Sequence, residues 1–195
     1  MASHSLTLLL LCLSLLCISG KSDSVQAATS FIRSRCRKTT FPAVCIQSLS
    51  NFAPSIQNNP KQLAQTALSV SITRAQSSRA FVTKLAKFKG LKRREYAAIK
   101  DCLEEMADSV DRLSSSLQEL KKMDRARGEE IFWHISNAQT WVSASLTDDN
   151  TCMDGFAGRA LNGKIKSSVN ARMTNVAQVT SNALALINQC AGNYK

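Results

Sequence analysis

Between Tyr96 and Leu120 an apolar side chain recurs at every third or fourth position: Tyr96, Ile99, Leu103, Met106, Val110, Leu113, Leu117 and Leu120. Alternating steps of three and four match the 3.6-residue turn of an α-helix and no other regular structure. A helix over about Arg93 to Lys122 with one apolar stripe needs neighbours to cover it. The sequence supplies three more amphipathic blocks. One runs from about Pro60 to Phe88, with Leu63, Ala67, Val70, Phe81, Leu85 and Phe88 apolar and a weakly apolar middle from Ser71 to Ser78. Another covers about Glu129 to Leu146, with Ile131, Ile135, Ala138, Val142 and Leu146. The last covers about Lys164 to Gln189, with Ile165, Val169, Val176, Val179, Ala183 and Ile187. Only 7 Gly and 3 Pro in 195 residues leave too few turn formers for a sandwich or a barrel. These features predict an all-α fold: an up-down-up-down four-helix bundle. The stretch Thr147 to Gly163 is expected to be a short helix or a loop across the bundle end.

The N-terminus reads differently. Leu6 to Ile18 is mostly apolar and too short to span a bilayer core of about 30 Å. It gives way to Ser19, Gly20 and Lys21, the pattern of a secretory signal. Residues 1–28 are therefore expected to be a signal peptide cut after Ala27, or after Ser19, and residues 29–195 to form one domain in a secreted protein. Loss of Cys12 and Cys17 with the signal leaves Cys36, Cys45, Cys102, Cys152 and Cys190, which in an oxidising compartment implies two disulfides and one spare thiol. Residues 29–59 contain a break at Thr39-Thr40-Phe41-Pro42, flanked by Cys36 and Cys45. They read as a helical hairpin closed by a disulfide, with residues 60–195 forming the bundle. A bridge from Cys102 to Cys152 would join the second and third bundle helices, although spacing alone leaves other pairings open.

Catalytic chemistry is sparse. His134 is the only histidine after the signal, and no C-x-x-C, H-E-x-x-H, P-loop or G-x-S-x-G sequence occurs. No metal and no cofactor is expected. Asp148-Asp149 reads as a cap for a following helix, and Cys190 lacks a nearby histidine to activate it. The inventory is that of a binding protein rather than an enzyme.

Four ordered motifs resemble the plant invertase/pectin methylesterase inhibitor family. They are Cys36-(x)8-Cys45 with Thr39 and Pro42 inside; Asp101-Cys102-Leu103-Glu104 followed by Asp108 and Asp111; Trp141-Val142-Ser143-Ala144-Ser145-Leu146 followed by Thr151-Cys152-Met153-Asp154-Gly155-Phe156; and Ser181-Asn182-Ala183-Leu184-Ala185-Leu186. The resemblance implies a disulfide-locked bundle with bridges Cys36–Cys45 and Cys102–Cys152. It also implies a cell-wall protein that inhibits by plugging the active-site cleft of a cell-wall enzyme. The connection before the last helix lacks the Pro-Lys-Phe motif typical of the invertase inhibitors, so the resemblance favours pectin methylesterase as target, with acid invertase as the alternative. Met106 stands where the family usually has Tyr, and Cys190 lies later than its usual extra cysteine.

Asp101, Glu104, Asp108 and Asp111 fall on one helical ridge in a chain of net charge +11. From pattern alone this is a solvated face, eased by an Asp108–Arg112 pair at i, i+4. The resemblance makes Glu104, Asp108 and Asp111 contacts to the esterase and Thr151 an interface threonine. Lys84, Lys87, Lys89, Lys92, Arg93 and Arg94 form a dense cationic run. Solubility alone accounts for such a run. A further use is electrostatic retention on de-esterified pectin, which gives a third reading of the chain as a non-inhibitory pectin-binding protein. A secreted chain without aromatics interleaved among these cations is not expected to bind nucleic acid, nor is a membrane partner expected.

Overall fold

The computed structural model describes residues 24–158 and 161–194. Residues 1–23 of the expected signal, with Cys12 and Cys17, lie outside the described residues. Helix α1 spans 24–36 and therefore takes in the last residues of that segment. It is followed by α2 (Pro42–Leu49), a 3-10 turn (Ser50–Phe52), α3 (Ala53–Ile56), α4 (Pro60–Leu85), α5 (Arg93–Lys122), α6 (Glu129–Asp154) and α7 (Lys164–Ala191). The described residues contain no strand.

Local sequence sets the helix ends. Pro42 and Pro60 occupy first turns, where a missing N–H costs nothing. The Asn59 side chain caps α4 by accepting from the backbone N–H groups of Lys61 at 2.9 Å and Gln62 at 3.1 Å. Glu95 reaches back to the N–H of Lys92 at 2.8 Å and fixes the start of α5. Lys121 and Lys122 close α5, while Glu129 and Glu130 open α6, each with the sign that the helix dipole favours. Gly90 and Gly128 turn the chain at φ of 108° and 57°, where a side chain would be strained.

The four long helices form a closed ring in which α4 packs on α5, α5 on α6, α6 on α7 and α7 on α4. The hairpin rests on α4 and α7. Cys36–Cys45 joins α1 to α2 with the Cα atoms 5.5 Å apart. Asn182 of α7 then clamps the hairpin turn, accepting from the Phe41 N–H at 3.0 Å and donating to the Phe41 carbonyl at 2.9 Å. Gln189 donates to the Arg35 carbonyl at 3.1 Å. Phe156, fully buried just beyond α6, fills the opposite end of the core.

The bundle differs from the sequence reading in four respects. First, the buried stripe of α5 is Ile99, Cys102, Met106, Ser109, Leu113, Ser116 and Leu120. Leu103, Val110 and Leu117 are half-buried beside it, and Tyr96 is 52% exposed. The stripe is rotated because small residues face α6 and let the helices approach. Ser109 meets Ser145 at 2.8 Å, and Ser116 donates to the Ala138 carbonyl at 3.0 Å. Second, α4 ends at Leu85, so Phe88 lies beyond it in solvent. The weakly apolar middle of α4 follows the same small-residue logic, with Ser71, Ala75 and Ser78 buried.

Third, α6 continues through the whole of Thr147–Asp154. Asp148 and Asp149 are therefore helix-interior residues facing α5, not caps. Fourth, no Asp108–Arg112 pair forms. Arg112 instead reaches across to α6, its Nε lying 2.7 Å from Asp148 Oδ2. A buried partner in another helix confines the guanidinium more than an exposed carboxylate one turn away.

Candidate functional site

The acidic ridge and the seam beneath it share a single origin in the phase of α5. Because that helix buries Cys102, Met106 and Ser109, it turns Asp101, Glu104, Asp108 and Asp111 outward, and all four are exposed. Over these ten residues the ridge extends about 15 Å. Glu104 approaches Lys100 at 3.9 Å, with both side chains about 70% exposed, a pair that constrains little. Among the described residues Asp101, Asp108 and Asp111 form no ion pair. Their carboxylates are therefore open to a partner.

The Cys102–Cys152 disulfide brings α6 to this ridge, with Cα atoms 4.3 Å apart. Thr151 immediately precedes the bridge and is exposed on the rim of the same α5–α6 seam. Its hydroxyl donates to the Thr147 carbonyl at 2.9 Å, which satisfies the proton and leaves the oxygen free to accept. The local hydroxyl–backbone bond and a contact to a partner are thus compatible. Thr151 and Asp101 each adjoin a cysteine of the bridge, and Glu104, Asp108 and Asp111 follow along the exposed side of α5 from that point.

Beneath that surface lie polar groups that the sequence reading missed. Burial raises the Asp148 carboxyl pKa, and Arg112 opposes it while Glu105 and Asp108 add to the rise. Asp149 is fully buried and accepts from Ser109 at 2.9 Å. Burial pushes its carboxyl up to about 7, against the Ser109 hydrogen bond and with help from Asp148. The signal that could have found this cluster is the seven-residue spacing of Ser109 and Ser116 on the inner face of α5.

The reactive groups elsewhere are structural. His134 Nδ1 donates to Glu119 Oε2 at 2.8 Å, as do Lys122 Nζ to Oε1 at 2.6 Å and Asn137 Nδ2 to Oε2 at 3.2 Å. Burial raises the Glu119 pKa, yet these donors outweigh it and hold the carboxyl at about 2. Cys190 is unpaired and buried in the core, and burial pushes its thiol up, away from the nucleophilic thiolate. Among the described residues no cluster of His, Cys, Asp and Glu could hold a metal ion, and no helix is long and apolar enough to cross a membrane.

The described residues thus form a helical bundle braced by two disulfides, with an exposed row of carboxylates along α5. The chain belongs to the plant invertase/pectin methylesterase inhibitor family, whose model matches residues 30–186. Proteins of this family are inhibitors, not enzymes. The chain is 50% identical over 195 residues to pectinesterase inhibitor 11 of Arabidopsis thaliana, covering 96% of each chain. It is also 56% identical over 172 residues to a "21 kDa protein" of Daucus carota, covering 88% of this chain and 89% of the other. A crystal structure of a mutant pectin methylesterase inhibitor from Arabidopsis superposes with a TM-score of 0.63 at 23% identity, covering 78% of this chain and 92% of that one, and carries the likeness at the level of fold.

Proposed function

We propose that this protein is exported to the plant cell wall and inhibits pectin methylesterase there, limiting pectin de-esterification. In this reading the N-terminal segment, cut after Ala27 ahead of the buried Ala28, directs secretion, and the α5–α6 face forms a stoichiometric complex that covers the esterase cleft. Glu104, Asp108 and Asp111 supply charge, and Thr151 supplies an acceptor. The observation that carries the reading is the set of carboxylates on one exposed ridge in a chain of net charge +11. Relatives named pectinesterase inhibitors support the esterase over invertase as the target. A rigid surface burying about 800 Å² on each partner suffices for a specific complex and excludes a polymer substrate sterically.

Titrating the oxidised protein separately into a plant pectin methylesterase and an acid invertase tests the assignment. Esterase activity is expected to fall and saturate near one inhibitor per enzyme, with invertase unaffected. The Glu104→Ala, Asp108→Ala double variant is expected to inhibit about tenfold more weakly or worse, a loss of ~1.4 kcal/mol or more, with its melting temperature unchanged. Undiminished esterase turnover at saturating protein contradicts the target. Full inhibition by the double variant contradicts the role of the ridge.

A further inference from the structure

The cationic run encloses a feature that charge alone does not explain. Lys84, Lys87, Lys89, Lys92, Arg93 and Arg94 are all exposed around the α4–α5 turn. Among the described residues none of them forms an ion pair. Glu95, next to Arg94 in sequence, accepts from the backbone N–H of Lys92 at 2.8 Å. Phe88 lies among these cations and is itself 64% exposed. The start of α7 arrives at the same end, and Lys164 and Ile165 join Phe88, Leu91, Lys92 and the backbone-bonded Glu95 around a shallow hollow of about 440 Å³, with the other cations of the run outside its rim. Solubility calls for charges but gains nothing from an exposed phenyl ring.

A ligand that uses both features has an apolar face to lie on Phe88 and regularly spaced anions to meet the lysines and arginines. A chain of uronic acid sugars has both: each pyranose ring presents a C–H face, and each unit carries a carboxylate. We propose that this hollow binds a de-esterified polyuronate chain. The proposal rests on the target assigned above, because each methyl ester that a pectin methylesterase hydrolyses takes up water, releases methanol and leaves one such carboxylate. The inhibitor would then concentrate where its target has already acted. Ten residues of α5, about 15 Å, separate Arg94 from Glu104, so polymer and enzyme engage different parts of the molecule.

Calorimetry of the oxidised protein with polygalacturonate, with its methyl-esterified counterpart of equal length, and with dextran sulfate of matched charge tests the site. Polygalacturonate is expected to bind about tenfold or more tightly than the esterified polymer, and more weakly as salt rises. The Lys87→Glu, Lys92→Glu, Arg94→Glu variant is expected to lose about tenfold or more in affinity, and Phe88→Ala about threefold, with melting temperatures unchanged. Equal binding of the esterified polymer overturns the proposal. So does dextran sulfate binding as tightly as polygalacturonate with Phe88→Ala without effect, which reduces the site to bare attraction. Esterase inhibition, scored on a short methyl-esterified oligosaccharide, is expected to stay intact in both variants. Polymer binding without inhibition would sink only the target assignment, and inhibition without polymer binding would sink only this site.

Discussion

Asp149 occupies an environment that opposes its charge. It is sealed between α5 and α6, with Ser109 as its hydrogen-bond donor and Asp148 next to it. With a folded-state pKa of about 7 against an ordinary 3.8, the folded protein holds this proton more tightly than the unfolded chain. Stability from this residue is therefore full below about pH 4, declines as pH rises, and is lost above about 7. Glu119 has the opposite sign, its contribution disappearing only as pH falls from about 4.5 toward 2. Between pH 5 and 8 Asp149 therefore lowers stability as pH rises, and Asp148, whose carboxyl burial also raises, acts in the same direction. Thermal melting across that range is expected to show lower stability at pH 8, with Asp149→Asn flattening the slope and raising stability at pH 8 by roughly 2–4 kcal/mol. A wild-type melting temperature that rises toward pH 8 contradicts the buried-carboxylate account. The sequence hid this residue because Asp after Leu-Thr resembles a helix cap, and only tertiary contacts reveal that the helix runs on. The exposed ridge was legible, since four carboxylates at helical spacing need only the phase of α5 to be placed outward.

At the scale of elements, the long amphipathic helices were legible from apolar periodicity, and α5 matched its expected bounds. The rotation of its buried stripe was not, because serine and cysteine score as polar or neutral while their size decides how closely two helices pack. Ser109, Ser116 and Ser145 bring α5 and α6 close enough for both the disulfide and the hydrogen-bonded seam. Asp101 and Thr151, each next to a cysteine of that bridge, are thereby held across the seam from one another. A Cys102→Ser, Cys152→Ser double variant opens a loop of sequence separation 50 in the unfolded chain. It is expected to lose about 2–4 kcal/mol in denaturant unfolding and to inhibit more weakly than the drop in folded fraction explains. Inhibition tracking folded fraction alone would show that the bridge stabilises the fold without holding the binding face in place.

Across the whole molecule, the ring of four helices and the disulfide-closed hairpin followed from composition, breakers and the family likeness. The mutual clamp between Asn182 and Phe41 was not visible, because a buried asparagine in a helix announces neither its partner nor its distance of 141 residues. Charge is organised on the same scale. The α4–α5 turn carries unpaired cations and an exposed ring, while the α5–α6 seam carries the carboxylates, so a strongly basic protein keeps an acidic face, which in the proposed reading meets the esterase. Carboxyl labelling with a carbodiimide and an amine, free and in complex with pectin methylesterase, addresses that arrangement directly. Complex formation is expected to suppress labelling at Glu104, Asp108 and Asp111 while leaving Glu129 and Glu130, at the far end of α6, unchanged. Unaltered labelling of the ridge in a fully inhibited complex would contradict the account.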